Sequence, residues 1–125
     1  MKTTTLRFPI PREIILNSNQ VVFRRVKGLR VKTLRQMGEA LGLAINENKF
    51  DKYTVDVIVY PPSKRRLDPP NLYPTVKPLI DGLTDANLWE DDDHEHMSSM
   101  TFYYGDLSQL PDMFLIDFII KEVKK

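Results

Sequence analysis

The sequence predicts one domain of the α/β (α+β) class across residues 1–125: a mixed sheet of about four strands backed by two helices, in the order β-α-β-α-β-β. Three observations predict it. YTVDVIVY at 53–60 alternates with a two-residue period, two other stretches repeat their apolar residues every three or four positions, and two β-rich runs close the chain. The length suits a single hydrophobic core, and no internal repeat or linker divides it.

The first strand is expected over 3–8, TTTLRF, ended by the prolines at 9 and 11. Residues 12–23 fit no single element, with a possible turn at Asn17-Ser18-Asn19. A helix is expected from about Arg30 to Ile45, with Leu34, Met37, Leu41 and Ala44 on its inner face. Gly38 and Gly42 weaken that helix in isolation. In the strand 53–60, Tyr53, Val55, Val57 and Val59 share one face, and Ile58 and Tyr60 the other. Pro61-Pro62 stops it, and the basic, proline-rich SKRRLDPP forms a loop. The second helix carries Leu72, Val76, Leu79, Ile80 and Leu83, begins near 74 or near 77, and has Asn87 as its left-handed cap. Both Pro74 and Pro78 belong near its start, since proline lacks the N–H of an interior turn. Strands are expected at about 97–104 and 113–122, with GDLSQLPD as a hairpin connection between them.

Composition narrows the function classes. No run approaches the roughly 20 apolar residues of a membrane span. MKTTTLRFPIPR has no apolar core of signal-peptide length, so export is not expected. The absence of cysteine excludes disulfides and thiolate metal sites and fits a cytoplasmic protein. Net charge is +1, but the charges segregate: bases gather at 24–35 and 64–66, acids at 90–95. A chain can thus carry phosphate-attracting patches and a separate cation-attracting site while looking neutral in total.

LWEDDDHEH at 88–96 is the most unusual stretch. Neighbouring like charges repel by about 4 kcal/mol at 4 Å and an effective dielectric of 20. Water screens such a run, or a cation neutralises it; solvation is the commoner fate of an acidic loop. Asp68 precedes the second helix and Glu90–Asp93 follow it, so Asp68 and Asp92 meet only if the loops fold back. With Lys77 beside them, they would suit Mg²⁺, which takes oxygen ligands and one or two carboxylates. Lys77 and Asp81, spaced i, i+4, also suit a plain surface pair. His94 and His96 alternate on one side of a presumed strand as a two-histidine half-site with no clear third ligand. Arg24, Arg25, Lys27, Arg30, Lys32 and Arg35 form either a phosphate-tracking stripe or the solvent face of a helix. Phe23 and Trp89 suit stacking on bases, or a place in the core or at its rim.

Together, YPPSKRRLDPPNLYPTVKPLIDGLTDANLWEDDDHEHM (60–97) resembles the signature region of the RusA-type Holliday junction resolvases. The shared pattern is a strand, P-P, a basic loop, D-x-D-N, a helix with K-x-x-x-D-A/G-L, a turn, D-D and another strand. LNSNQ…RRVKGLR…LR resembles that family's N-terminal segment more weakly. The resemblance implies a small homodimeric endonuclease, dependent on Mg²⁺ (Mn²⁺ possible), that binds four-way DNA junctions and cuts them symmetrically. It matches Asp68 to the first aspartate of D-x-D-N, Asn71 to its asparagine, Lys77 to the helix lysine and Asp92 to the later aspartate, with Asp91 its neighbour. The implied metal ligands are Asp68, Asp92 and Asp91; with Asn71, the basic segments, Arg24, Arg25, Lys27 and Arg30 and Lys64, Arg65 and Arg66, are expected to hold the DNA. Two departures stand out. Pro70 replaces the second aspartate, and about three extra residues separate Asn71 from Lys77 relative to the shorter form of the family. Asp91, Asp93 or Asp81 is open as a substitute carboxylate; otherwise it is dispensable, or the chain is a junction binder that does not cut. A protein-interaction module with a solvated acidic loop is a third expectation.

Overall fold

The structure, a computed structural model, describes residues 2–45 and 49–123. Four strands, β1 (Thr3–Pro11), β2 (Tyr53–Tyr60), β3 (Met97–Tyr104) and β4 (Met113–Glu122), form one sheet in the order β1-β4-β2-β3. Helices α1 (Arg24–Ile45) and α2 (Tyr73–Asp85) cover one face of it. The expected class and element order are thus present. β2 and β3 run parallel across the α2 crossover, and β4 lies antiparallel to both β1 and β2.

The expected hairpin at 105–112 is corrected by this order. β4 does not pair with β3; it crosses to the far side of β2 and enters between β2 and β1. Every alternate position of β4 then faces the helices, and Ile116, Phe118 and Ile120 meet Val59, Val57 and Val55 in register. An edge position beside β3 would leave those side chains without β1's Leu6, Phe8 and Ile10. The connection turns on Asp106, Gln109 and Asp112, all at positive φ, and Ser108 ties it down by donating to the Met113 carbonyl oxygen at 2.7 Å.

β1 also corrects its expected boundary. It continues through Pro9 and Pro11, because it is an edge strand whose other side makes no ladder among the described residues. Helix α1 begins at Arg24, a turn and a half before the expected Arg30. Its inner face is Leu34, Gly38 and Gly42, flanked by Val31, Leu41 and Ile45, whereas Ala44 is exposed. The regular part of α2 starts at Tyr73, so Pro78 lies inside the helix rather than at its start. Asn87 has φ 63° and caps α2 as expected; the Leu88 N–H donates to the Leu83 carbonyl oxygen just beyond it.

An Arg35–Asp85 pair clamps α1 to α2 with two bonds, 2.6 and 2.9 Å. The guanidinium holds the Asp85 carboxyl below its ordinary value, with its hydrogen bond the leading cause. A carboxyl depressed on folding adds stability above its unfolded value and loses it as pH falls through the folded one. Asp85→Asn is therefore expected to destabilise by at most about 1 kcal/mol at pH 7, because solvent screens the pair. That difference should shrink as pH falls through the depressed folded value of Asp85, and urea titrations of both proteins at pH 7 and at acid pH would measure it.

Candidate functional site

The three aspartates of EDDDHEH have three different partners. Asp91 accepts the Asp92 backbone N–H on its own carboxylate at 2.7 Å. Asp93 accepts from the His96 ring at 2.6 Å and from the Glu95 N–H at 3.2 Å. Asp92 reaches back to α2 and forms an ion pair with Lys77. Lys77 also bonds Asp81 at 2.8 Å, one turn further along α2. From Asp85 back to Lys77 is about 12 Å of helix at 1.5 Å per residue, so the loop folds back over more than half of α2.

Trp89 holds that loop in place. It is fully buried, its ring stacks on Tyr53 at 4.2 Å, and its indole N–H donates to Thr84 Oγ1 at 2.7 Å. The Tyr53 hydroxyl donates to the Asp91 carbonyl oxygen at 2.9 Å. Burial, and then the charges of Asp92, Asp91 and Asp93, push the Tyr53 phenol well above its ordinary value, so it remains a donor. Trp89 is therefore a core residue, and of the two aromatics considered only Phe23 is exposed. Tyr53 escapes sequence reasoning because it reads as an ordinary inward strand residue; its place at the strand's first position was the available signal.

Lys77 is a fixed cation. Burial pulls its ammonium down, but hydrogen bonds to Asp81 and Asp92, with their charges, outweigh that and hold it above its ordinary value. The His96 imidazole is likewise raised, first by its bond to Asp93 and further by Glu90 and Asp91. His94 and His96 lie in the turn before β3, not on the strand, so the expected alternating pair does not form; His94 is exposed and His96 closes the turn.

Asp68 sits in a second setting. It precedes Pro69 in an extended conformation, φ −101° and ψ 104°, as a residue before proline prefers. Its carbonyl oxygen accepts the Asn71 N–H at 2.9 Å. Its carboxylate lies 3.8 Å from the Arg66 guanidinium. Asn71, Arg66 and Asp68 line an open cleft of about 630 Å³ opposite Asn17, Asn19 and Gln20. Ser18 joins the walls: its N–H donates to the Asn71 carbonyl oxygen at 2.9 Å, and its hydroxyl to Asn71 Oδ1 at 3.3 Å. Sequence reasoning missed Ser18, Asn17 and Gln20 as site residues, although LNSNQ is a conspicuously polar run beside two apolar ones. Pro70 stands exposed between Asp68 and Asn71 and offers no ligand atom.

The structure thus brings Asp92, Lys77 and Asp81 together, and Asp68, Asn71 and Arg66 together. Among the described residues, no group of three or more acidic or histidine side chains stands close enough to hold a metal ion by itself. The Asp92 and Asp81 carboxylates still fit a hard cation in kind, since Mg²⁺ uses one or two carboxylates and keeps its waters. Of the basic residues, Arg24, Arg25, Lys27, Lys64 and Arg65 are exposed, while Arg30 donates to the Ile15 carbonyl oxygen at 3.2 Å. No helix among the described residues is long and apolar enough to cross a membrane. Compared with known proteins, the chain matches no family model and no curated protein sequence.

Proposed function

We propose that the protein is a metal-dependent endodeoxyribonuclease that binds and resolves four-way DNA junctions. The observation that carries this reading is the Asp92–Lys77–Asp81 chain of ion pairs, formed by an acidic loop folded back over α2. A solvated acidic run has no need of a buried tryptophan and a tyrosine hydroxyl to hold it against a lysine.

In this reading Asp92 and Asp81, joined through Lys77, would hold the metal, Asp81 taking the role of the carboxylate missing at Pro70, and Asp91 beside Asp92 and Asp68 from its separate setting by Arg66 would complete the ligand set. Mg²⁺ or Mn²⁺, when bound, supplies an activated water and neutralises charge on the leaving oxygen. Lys77, its charged form favoured by Asp81 and Asp92, stabilises negative charge on the phosphate being cut. Asn71, Lys64, Arg65 and Arg66 on the loop, and Arg24, Arg25, Lys27 and Arg30 on α1, hold DNA phosphates. A two-fold homodimer suits the substrate, since equivalent sites then face opposite strands of the junction.

The full chain is expected to make paired cuts in a synthetic four-way junction with Mg²⁺ or Mn²⁺, and none with EDTA. Folded protein that binds the junction but never nicks it would sink the nuclease reading. That outcome favours a second reading, a junction-binding protein without cleavage, which the exposed Pro70 ring between Asp68 and Asn71 supports. Such a protein binds branched DNA with strong salt dependence.

A further inference from the structure

Val21, fully exposed, and Phe23, 83% exposed, are the two most exposed large apolar side chains among the described residues, and they stand together immediately ahead of α1. Val26 and Leu29, three and six residues on from Phe23 in α1, are exposed as well. Cations surround this face. Arg24, Arg25 and Lys27 make no ion pair among the described residues, and no acid occurs anywhere from 14 to 38. We infer that Val21 and Phe23 form an apolar prow that packs against unpaired bases at the branch point of a DNA substrate, with Arg24, Arg25 and Lys27 holding the flanking phosphates. The inference rests on the nuclease reading and names the part of the substrate that this surface takes.

Charge selects the occupant. A second copy seated on this face would bring the same cations together, and residues 14–38 contain no carboxylate to neutralise them. Two arginines in the first turn of α1 also oppose the helix dipole, which favours acids there. A polyanion relieves both repulsions. An exposed phenylalanine adds what phosphate contact alone does not need: a flat apolar surface for a base face. Inside a duplex every base is stacked on both sides, so such a residue gains most where pairing is interrupted.

Placement supports the same reading. The segment leading to the prow is pinned to the Asp68 region rather than hanging free. Leu16 exchanges two 2.7 Å bonds with the buried Thr75 hydroxyl, and Ser18 bonds Asn71 twice. Asn17 and Gln20 border both the cleft that holds Asp68 and an adjoining one lined by Val21, Val22 and Lys27. A strand lying along these two clefts runs from Asp68 to Val21, at the base of the prow.

The test uses the full chain in EDTA and a four-way junction carrying 2-aminopurine at the crossover, whose fluorescence rises on unstacking. Wild type is expected to raise it. Phe23→Ala should abolish most of the rise and bind the junction roughly ten-fold more weakly, while affinity for linear duplex changes less than about two-fold. Phe23→Trp should restore both signals. Phe23 is exposed, so its removal leaves the fold intact, which circular dichroism verifies. An unchanged rise and affinity in Phe23→Ala overturn the inference and leave the nuclease reading standing. A wild type without preference for branched over linear DNA overturns both. A drop in the mass of DNA-free Phe23→Ala in sedimentation equilibrium assigns the face to a second copy and overturns the inference alone.

Discussion

Replacing Gly82 with valine is expected to lower the thermal midpoint by roughly 10 °C or more, through a loss of about 3 kcal/mol or more. The cause is backbone against backbone. A Cβ at Gly82 would fall closer than 3.0 Å to the Arg35 carbonyl oxygen and lie 2.6 Å from the Glu39 nitrogen of α1. Gly38 presents the reciprocal contact against the Leu79 carbonyl of α2, and Gly42 would meet the Ala86 methyl at 2.7 Å. None of these neighbours is the free end of a flexible side chain except one Leu83 methyl at 3.2 Å. Relief therefore requires the helices to separate, which unpacks Leu34, Leu79 and Leu83 from the core. Gly28 is the control. It lies in the same helix as Gly38, and a methyl group added there would meet nothing within 4 Å, so Gly28→Ala should stabilise by up to about 1 kcal/mol through helix propensity alone. A Gly82→Val protein that melts with wild type would refute the close crossing of α1 and α2. The site would suffer with the fold, since Lys77 and Asp81 ride on α2.

These glycines show where sequence reasoning reached and where it stopped. Taken one helix at a time, Gly38 and Gly42 count against a helix, because propensity is a local quantity. Their value is tertiary and becomes visible only once Gly82 faces them. The prolines of β1 misled in the same manner. Pro9 and Pro11 end a strand only if its free edge must donate, and edge position is a property of the sheet order. The strand 53–60 was legible to the residue because its two-residue period records a face-by-face difference in burial. The supposed hairpin at 105–112 failed because the length of a connection does not reveal which neighbour the next strand takes. Within the site, helix spacing was enough to pair Lys77 with Asp81. The return of Asp92 to Lys77 depended on Trp89 docking on Tyr53, a contact across 36 residues. No local pattern encodes it.

Asp92→Asn is expected to cut cleavage of a four-way junction by about a thousand-fold, equivalent to about 4 kcal/mol of transition-state stabilisation. The amide keeps the shape of the side chain and removes the charge, so the loop should remain folded on its Trp89–Tyr53 stack. Junction affinity should stay the same or tighten, because one acid near the phosphates has gone and Lys77 is freed from one of its two partners. Asp93→Asn supplies the contrast within the same acidic run. Its carboxylate is engaged by His96 and the Glu95 N–H, so cleavage should change less than about three-fold even if the turn loosens. Asp81→Asn asks a sharper question. If Asp81 takes the role of the carboxylate missing at Pro70, its loss should weaken both Mn²⁺ binding, followed by electron paramagnetic resonance, and cleavage. If Asp81 serves only as a helix ion pair with Lys77, the effect should remain within a few tenths of a kcal/mol of stability and Mn²⁺ binding should not move. Equal losses from Asp92→Asn and Asp93→Asn would mean that the run acts as diffuse negative charge rather than through one placed ligand. The separate partners of Asp91, Asp92 and Asp93 argue against that, since diffuse charge has no reason to divide itself among a backbone amide, a lysine and a histidine.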